Sequence, residues 1–356
     1  MTDWIGNGNR FTKPAQRPYV AGQSVLRRSL EYIDDEGHNP VSPGRRSILL
    51  VFLDGVGLGA DDPRHNPFAR LRLPGFSVVS GVAQWTAAQW TAMDSADDPG
   101  TRRCTRSLDA TLGVAGLPQS GTGQATLFTG VNCARIAGRH YGPYPHSATR
   151  AVIRERNVFV QIQDGGGSAA FANAYPPGFF ERAQTQDRWT VTTRCCIDAG
   201  VRIRSTSEMP GGTAIPADLT GGLLRRRDPT VSASDESHSA RVLSRIAREH
   251  DFVLFEYFLT DKAGHRQNHG LAAEVLESVD RFLAALDRVL DYEQQTLLVT
   301  SDHGNLEDLS TKSHTTNRVP FLARGWSAPY FAEVSDLTGV TPGIVRALRS
   351  RTPFVP

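Results

Sequence analysis

Three short stretches of this chain are apolar almost without a break: SILLVFLDG at 47–55, DFVLFEYFL at 251–259 and TLLVTSDHG at 296–304. Each ends in, or is closely followed by, an acid or a histidine. A strand with one face in water alternates apolar and polar residues. An unbroken run is instead buried on both faces, as strands are in a parallel sheet covered by helices. Between the second and third runs lies LAAEVLESVDRFLAALDRVLDY (271–292), where Leu271, Val275, Val279, Phe282, Leu286, Val289 and Leu290 fall on one helical stripe. Strands alternating with helices predict an α/β fold with a mostly parallel sheet flanked by helices. VPFLARG (319–325) is a candidate further strand, and 342–350 a final short helix with Pro342 at its start. In such sheets ligands bind beyond the carboxyl ends of the strands, where the acids and histidines stand here.

The rest of the chain divides around this core. Residues 1–45 are polar and rich in Gly, Pro, Asn and Arg, and read as an N-terminal tail or strap. Residues 46–135 and 246–356 carry the core. Residues 81–107, with Trp85 and Trp90, read as an irregular segment near the surface. Residues 136–245 are arginine-rich, contain the run Gly165, Gly166 and Gly167, and are expected to form an inserted α+β cap domain.

Bulk properties narrow the function classes. A formal net charge of +2 is too small to suggest nucleic-acid binding. The four cysteines Cys104, Cys133, Cys195 and Cys196 form no CxxC pair, and at this length a disulfide framework is not expected. MTDWIGNGNR is no signal peptide, and no run of 18 apolar residues exists to span a membrane. The expectation is a cytoplasmic protein with a small-molecule partner.

Six side chains at predicted strand ends offer oxygen or nitrogen ligands: Asp54, Asp261, His265, Asp302, His303 and His314. Singly, each has an ordinary reading as a turn cap, a helix-start pair or a satisfied histidine. Jointly they suit two divalent cations, and carboxylates mixed with imidazoles favour Mn²⁺ or Zn²⁺, with Mg²⁺ a further option. GLPQSGTGQATLFTG (116–130) reads as a turn entering a helix, which would present Ser120 at an N-terminus suited to a phosphate. Ser120 is equally placed to cap that helix, and Thr122 and Thr126 are rival hydroxyls.

The pieces FLDGVGLG (52–59), QSGTGQ (119–124), DKAGH (261–265), SDHGNLE (301–307) and SHTTNRVPF (313–321) resemble the alkaline phosphatase superfamily. Within it they are most similar to cofactor-independent phosphoglycerate mutase and phosphopentomutase. The resemblance implies one metal held by Asp261, His265 and His314, and a second held by Asp54, Asp302, His303 and Ser120. It also implies that Ser120 attacks phosphorus and forms a phosphoserine, resolved by water in a phosphatase or by a second substrate hydroxyl in a mutase. The phosphoglycerate mutases carry Asn-Ser-Glu-Val-Gly-His where this chain has Gln119-Ser120-Gly121-Thr122-Gly123-Gln124, so their substrate contacts do not transfer. Candidate substrate-binding residues are Gln119, Lys262, Arg135, Arg139 and His140. Arg182, Arg188, Arg194, Arg202 and Arg204 are further basic residues of the expected cap. A phosphodiesterase or phosphonate hydrolase on the same two metals is the alternative enzyme. A non-catalytic, metal-bound regulatory protein is the alternative of another class. No Cys-x-Pro-x-Arg segment supports a sulfatase.

Overall fold

The computed structural model describes residues 45–94, 102–186, 188–226, 228–231 and 233–350. The expected tail at 1–45 lies, but for Arg45, outside the described residues. The described residues form nine strands: β1 (Ser47–Leu53), β2 (Arg103–Leu108), β3 (Ala169–Phe171), β4 (Asn173–Tyr175), β5 (Arg204–Ser205), β6 (Ile215–Pro216), β7 (Phe252–Tyr257), β8 (Gln295–Thr300) and β9 (Val319–Arg324). The central sheet runs in the order β2-β9-β8-β1-β7-β3. Strands β8, β1, β7 and β3 are parallel, while β9 runs antiparallel to both β8 and β2. The three unbroken apolar runs are thus the middle strands, and every residue of β1, β7 and β8 is buried.

Strand periodicity sends alternate residues to two separate cores. Leu49, Val51 and Leu53 of β1 join Val253, Phe255 and Tyr257 under the helices Pro74–Ser80, Glu236–Glu249 and His269–Val289. Ile48, Leu50 and Phe52 join Phe252, Leu254 and Leu298 on the other face, under the helices Ser120–Thr129, Val158–Asp164, Val191–Ala199 and Val340–Arg349. The 21-residue helix His269–Val289 starts where the Asn268 side chain accepts from the Leu271 N–H. It lies close against the helix Pro74–Ser80 because Gly75 has no side chain: a Cβ there would sit 1.9 Å from the Asp280 carbonyl oxygen. The last helix begins at Val340, so Pro342 is its third residue and not its first.

One expectation changes. Residues 81–107 are not irregular surface: they contain the helix Ala87–Asp94 and strand β2, and Trp85 and Trp90 are buried. The reason is aromatic packing. Trp85 meets Phe76 edge-on at 4.6 Å and Trp90 at 4.9 Å, and the indole N–H groups donate to Ser80 Oγ and the Arg106 carbonyl. Residues 136–245, expected as an inserted cap, contribute both to the central sheet and to the second core. β3 extends the central sheet beside β7, and Ile153, Phe159, Ile162, Val191 and Cys196 fill the second core. Their short apolar pieces are thus core segments. A small parallel sheet of β5, β4 and β6 completes this region. All four cysteines are free and buried, and burial pushes the Cys133 thiol up to about 11.

Candidate metal centre

The candidate ligands gather at the carboxyl ends of the three middle strands. Asp54 directly follows β1, and Asp302 and His303 follow β8 by two and three residues. Asp261 and His265 lie one turn apart on the helix Leu259–Arg266, which leaves the end of β7. His314 comes from the connection into β9, and Ser120 is the first residue of its helix. Of these side chains, Asp302 and His303 are wholly buried, while His265 remains partly exposed.

Two histidines are turned the same way. His314 Nδ1 lies 2.7 Å from the Pro118 carbonyl and His265 Nδ1 2.7 Å from the Lys312 carbonyl. A carbonyl only accepts, so each Nδ1 carries the proton and each Nε2 presents a lone pair. Those two Nε2 atoms face each other at 3.2 Å, with Asp261 oxygens 3.3 and 3.5 Å away. Two lone pairs and a carboxylate converging on one point suit a cation between them.

The neighbouring group tells the same story. His303 Nε2 lies 2.9 Å from Ser120 Oγ, 3.4 Å from Asp54 Oδ1 and 3.5 Å from Asp302 Oδ2. In a serine–histidine–aspartate arrangement the carboxylate would face Nδ1. Here Nδ1 faces the Gly304 carbonyl, and both carboxylates crowd the Nε2 side with the serine. Asp54 Oδ1 and Asp302 Oδ2 are buried with no hydrogen-bond partner. Their other oxygens have only long contacts, from Gln124 Nε2 at 3.5 Å and the Gly55 N–H at 3.4 Å. A buried carboxylate oxygen without a donor is costly, and the donor set of oxygens and imidazole nitrogens fits a divalent cation. Asp261, His265 and His314 can hold one ion, and Asp54, Asp261 and His303 converge as a second group, so Asp261 borders both.

Electrostatics follow from this crowding. Burial, then the Asp302 and Asp261 carboxylates, raise the Asp54 carboxyl well above the usual range. Burial and then Asp261 push Asp302 up to about 7. Burial lowers His303, and burial with His303 alongside lowers His314 to about 4. His303 and His314 stack with ring centroids 3.8 Å apart. The imidazoles are therefore held neutral, which keeps their lone pairs available.

The rival hydroxyls are otherwise engaged. Thr126 Oγ1 donates to the Thr122 carbonyl, and Thr122 Oγ1 accepts from the Tyr141 N–H. Only Ser120 faces His303. Gln119 occupies the helix N-cap position without capping through its side chain. Of the proposed substrate residues, Lys262 lies over the Phe258 ring and Arg139 over Tyr141. Arg135 is exposed on the helix Cys133–Ala137. His140 bonds the Val114 carbonyl through Nε2 and leaves Nδ1 buried and unpartnered. Arg194 pairs with Asp198, Arg202 with Glu208, and Arg204 with the Phe171 and Thr213 carbonyls. These three arginines therefore hold their own segment together.

Glu307 was given no role by the sequence, although it ends the SDHGNLE segment. Its carboxylate is buried and accepts from the N–H groups of Gly57 and Asn305, both at 2.8 Å, and from Thr315 Oγ1 and Asn317 Nδ2. It ties together the three loops that carry Asp54, His303 and His314. A Cβ at Gly57 or Gly304 would lie 2.3 Å from its Oε1, so the glycines of FLDGVGLG and SDHGNLE make room for it. A separate cavity of about 710 Å³ is lined by Arg45, Asp251, Trp326 and Arg349 among others. It lies at the opposite end of the strands and contains none of the candidate ligands.

Comparison with known proteins agrees with this arrangement. Residues 227–345 match the family model described as the metalloenzyme superfamily. The chain is 32% identical over 92 residues to the 2,3-bisphosphoglycerate-independent phosphoglycerate mutase of Pyrococcus furiosus, covering 26% of this chain and 22% of that protein. It is 32% identical over 136 residues to the enzyme of the same name from Clostridium novyi, covering 35% and 26%. The matched stretch thus spans about a quarter of those relatives. Among solved structures, the PH0037 protein of Pyrococcus horikoshii superposes with a TM-score of 0.52 at 14% identity, over 86% of this chain and 98% of that one. The alkaline phosphatase of the Antarctic bacterium TAB5 also gives 0.52, at 11% identity, over 87% and 99%. These two likenesses establish the fold. None of the described helices is long and apolar enough to cross a membrane.

Proposed function

We propose that this chain is a two-metal phosphomonoesterase or phosphomutase of the alkaline phosphatase superfamily that acts on a small phosphorylated metabolite through Ser120; the metalloenzyme family match over residues 227–345, the partial likeness to phosphoglycerate mutases and the alkaline-phosphatase-like fold support this reading. The observation that carries this reading is the set of groups around His303 Nε2: the Ser120 hydroxyl at 2.9 Å and the unpartnered oxygens of Asp54 and Asp302. Two divalent ions, Mn²⁺ or Zn²⁺ with Mg²⁺ a further option, would be held by Asp261, His265 and His314 and by Asp54, Asp302, His303 and Ser120, and when bound would supply positive charge to the phosphoryl oxygens and lower the serine pKa. Ser120 Oγ forms the new bond to phosphorus, and the ester P–O bond breaks with its electron pair leaving on the departing oxygen, which takes up a proton. The resulting phosphoserine is opened by water, giving inorganic phosphate, or by a second hydroxyl of the substrate, giving its isomer; either way Ser120 is restored. The Pro118 and Lys312 carbonyls keep His314 and His265 in the tautomer this requires.

The test is phosphate release from sugar phosphates, phosphoglycerates and nucleotides with added Mn²⁺, Mg²⁺ or Zn²⁺, paired with isomer conversion followed by NMR. Release or isomerisation that needs both metal and Ser120 is the expected result. Full activity in Ser120→Ala would overturn the nucleophile assignment.

A further inference from the structure

One buried amide joins the loop that carries His303 to the helix that carries Asp261. Asn305 lies two residues beyond His303 and is wholly buried. Its Nδ2 donates to Asp261 twice, at 2.6 Å to Oδ1 and at 3.1 Å to the main-chain carbonyl. The first of these is charge-assisted and correspondingly short. The amide oxygen of Asn305 is buried and has no hydrogen-bond partner among the described residues. Turning the amide over brings that oxygen against two Asp261 oxygens, which only accept. One buried acceptor is thus left unpaired so that the amide nitrogen can serve Asp261.

The amide rests on a glycine. Gly264 stands between Asp261 and His265 on the helix Leu259–Arg266, and a Cβ there would lie 2.6 Å from Asn305 Cγ and Oδ1 and 2.9 Å from its Nδ2. Asp261 also meets Gly55, where a Cβ would lie 2.6 Å from Oδ1. The carboxylate is therefore confined by the Asn305 amide and the Gly55 backbone. Its oxygens lie 3.3 and 3.5 Å from the Nε2 atoms of His265 and His314. Asp261 also converges with Asp54 and His303, so an unrestrained carboxylate could turn to either group.

We propose that Asn305, seated on Gly264, is a positioning residue that holds Asp261 to the ion of His265 and His314. The inference rests on the two-ion part of the reading above and not on turnover. Asn305 touches neither ion; it acts by fixing the direction of a ligand, as hydrogen-bonded partners behind metal ligands do.

The test is Mn²⁺ uptake by the full-length, chelator-stripped protein, followed by titration calorimetry. Two backgrounds separate the ions. Asp54→Asn weakens the ion of Asp302, His303 and Ser120 and leaves that of His265 and His314 to be read; His314→Ala does the reverse. In the Asp54→Asn background, Asn305→Ala should raise the Kd of the remaining ion by about 10–100-fold. In the His314→Ala background it should leave Kd unchanged. Gly264→Ala pushes the amide aside without altering a ligand, so it should weaken the same ion. Combined with Asn305→Ala it should weaken that ion no further, because the group it displaces is gone. An unchanged Kd for the His265–His314 ion in Asn305→Ala overturns the inference, and so does equal weakening of both ions, which marks a general loss of order. Full additivity of the two substitutions overturns the seating on Gly264. A wild type that takes up no Mn²⁺ sinks the two-ion reading and this inference with it. Two ions bound alike by wild type and Asn305→Ala sink this inference alone.

Discussion

Glu307 is where a single substitution should separate the scaffold of the centre from its ions. Two of its four donors, the Gly57 and Asn305 N–H groups, are buried backbone, and both donate to Oε2. Glu307→Ala orphans them, at about 1–3 kcal/mol each, so a loss of about 4 kcal/mol is expected. Glu307→Gln should cost much less. Its amide can place oxygen towards the two backbone donors and its NH₂ towards Thr315 and Asn317, where the Thr315 hydroxyl can turn to accept and Asn317 is only half-buried. About 1–2 kcal/mol is expected there. The assay is urea unfolding of wild type and both variants in excess chelator and again in excess metal. Because Glu307 is not a ligand candidate, the losses should appear with chelator present. An alanine variant within about 1 kcal/mol of wild type, or a glutamine variant as damaged as the alanine one, would refute the reasoning.

Three further outcomes follow from the same contacts. With metal at about 100 times its Kd, the wild type should gain about 2.7 kcal/mol of stability; Asp54→Asn or His314→Ala weakened about 100-fold would keep only about 0.4 kcal/mol, readable as a smaller metal-induced rise in Tm. Burial opposes ionisation of Glu236, but Arg281 at 2.8 Å and Ser278 at 2.7 Å outweigh it and lower its pKa. A depressed carboxyl stabilises above its unfolded pKa and loses that contribution as pH falls through the folded value. Glu236→Gln should therefore be less stable than wild type at pH 7, by no more than about 1 kcal/mol because Arg281 is largely exposed. The gap should close below about pH 4, and a constant gap from pH 7 to pH 3 would contradict the pairing. Trp85→Ala should cost about 3–5 kcal/mol in the same urea assay, whereas a surface residue would cost almost nothing.

The middle of the sheet was legible because burial on both faces leaves a direct trace: every residue of β1, β7 and β8 is buried, and most are apolar. The ligand candidates were legible because strand ends are where such a sheet binds, and the structure brings Asp54, Asp261, His265, Asp302, His303, His314 and Ser120 together. What escaped was set by contacts distant in sequence. Trp85 and Trp90 lie in a stretch with no helical or strand period, and only their mutual packing with Phe76 buries them. β3 is three residues long, too short to carry a pattern, and gains its place by pairing with β7. Glu307 looks like any acid on a polar loop until its four donors, drawn from three loops, are seen.

The position of β1 between β7 and β8 sets a timetable for synthesis. β1 leaves the ribosome early, but its partner β7 begins roughly 200 residues later and β8 later still. At about 5–20 residues per second, the apolar segment Ser47–Leu53 waits on the order of ten to forty seconds with neither neighbour available. During that interval it is an unpaired strand open to other chains. The centre as a whole cannot hold its full set of ligands until His314 has emerged. A nascent chain halted before that point would hold the nucleophile candidate Ser120 and only Asp54 of the six ligand candidates besides it until Asp261 is made, so the protein should gain its chemistry late and all at once.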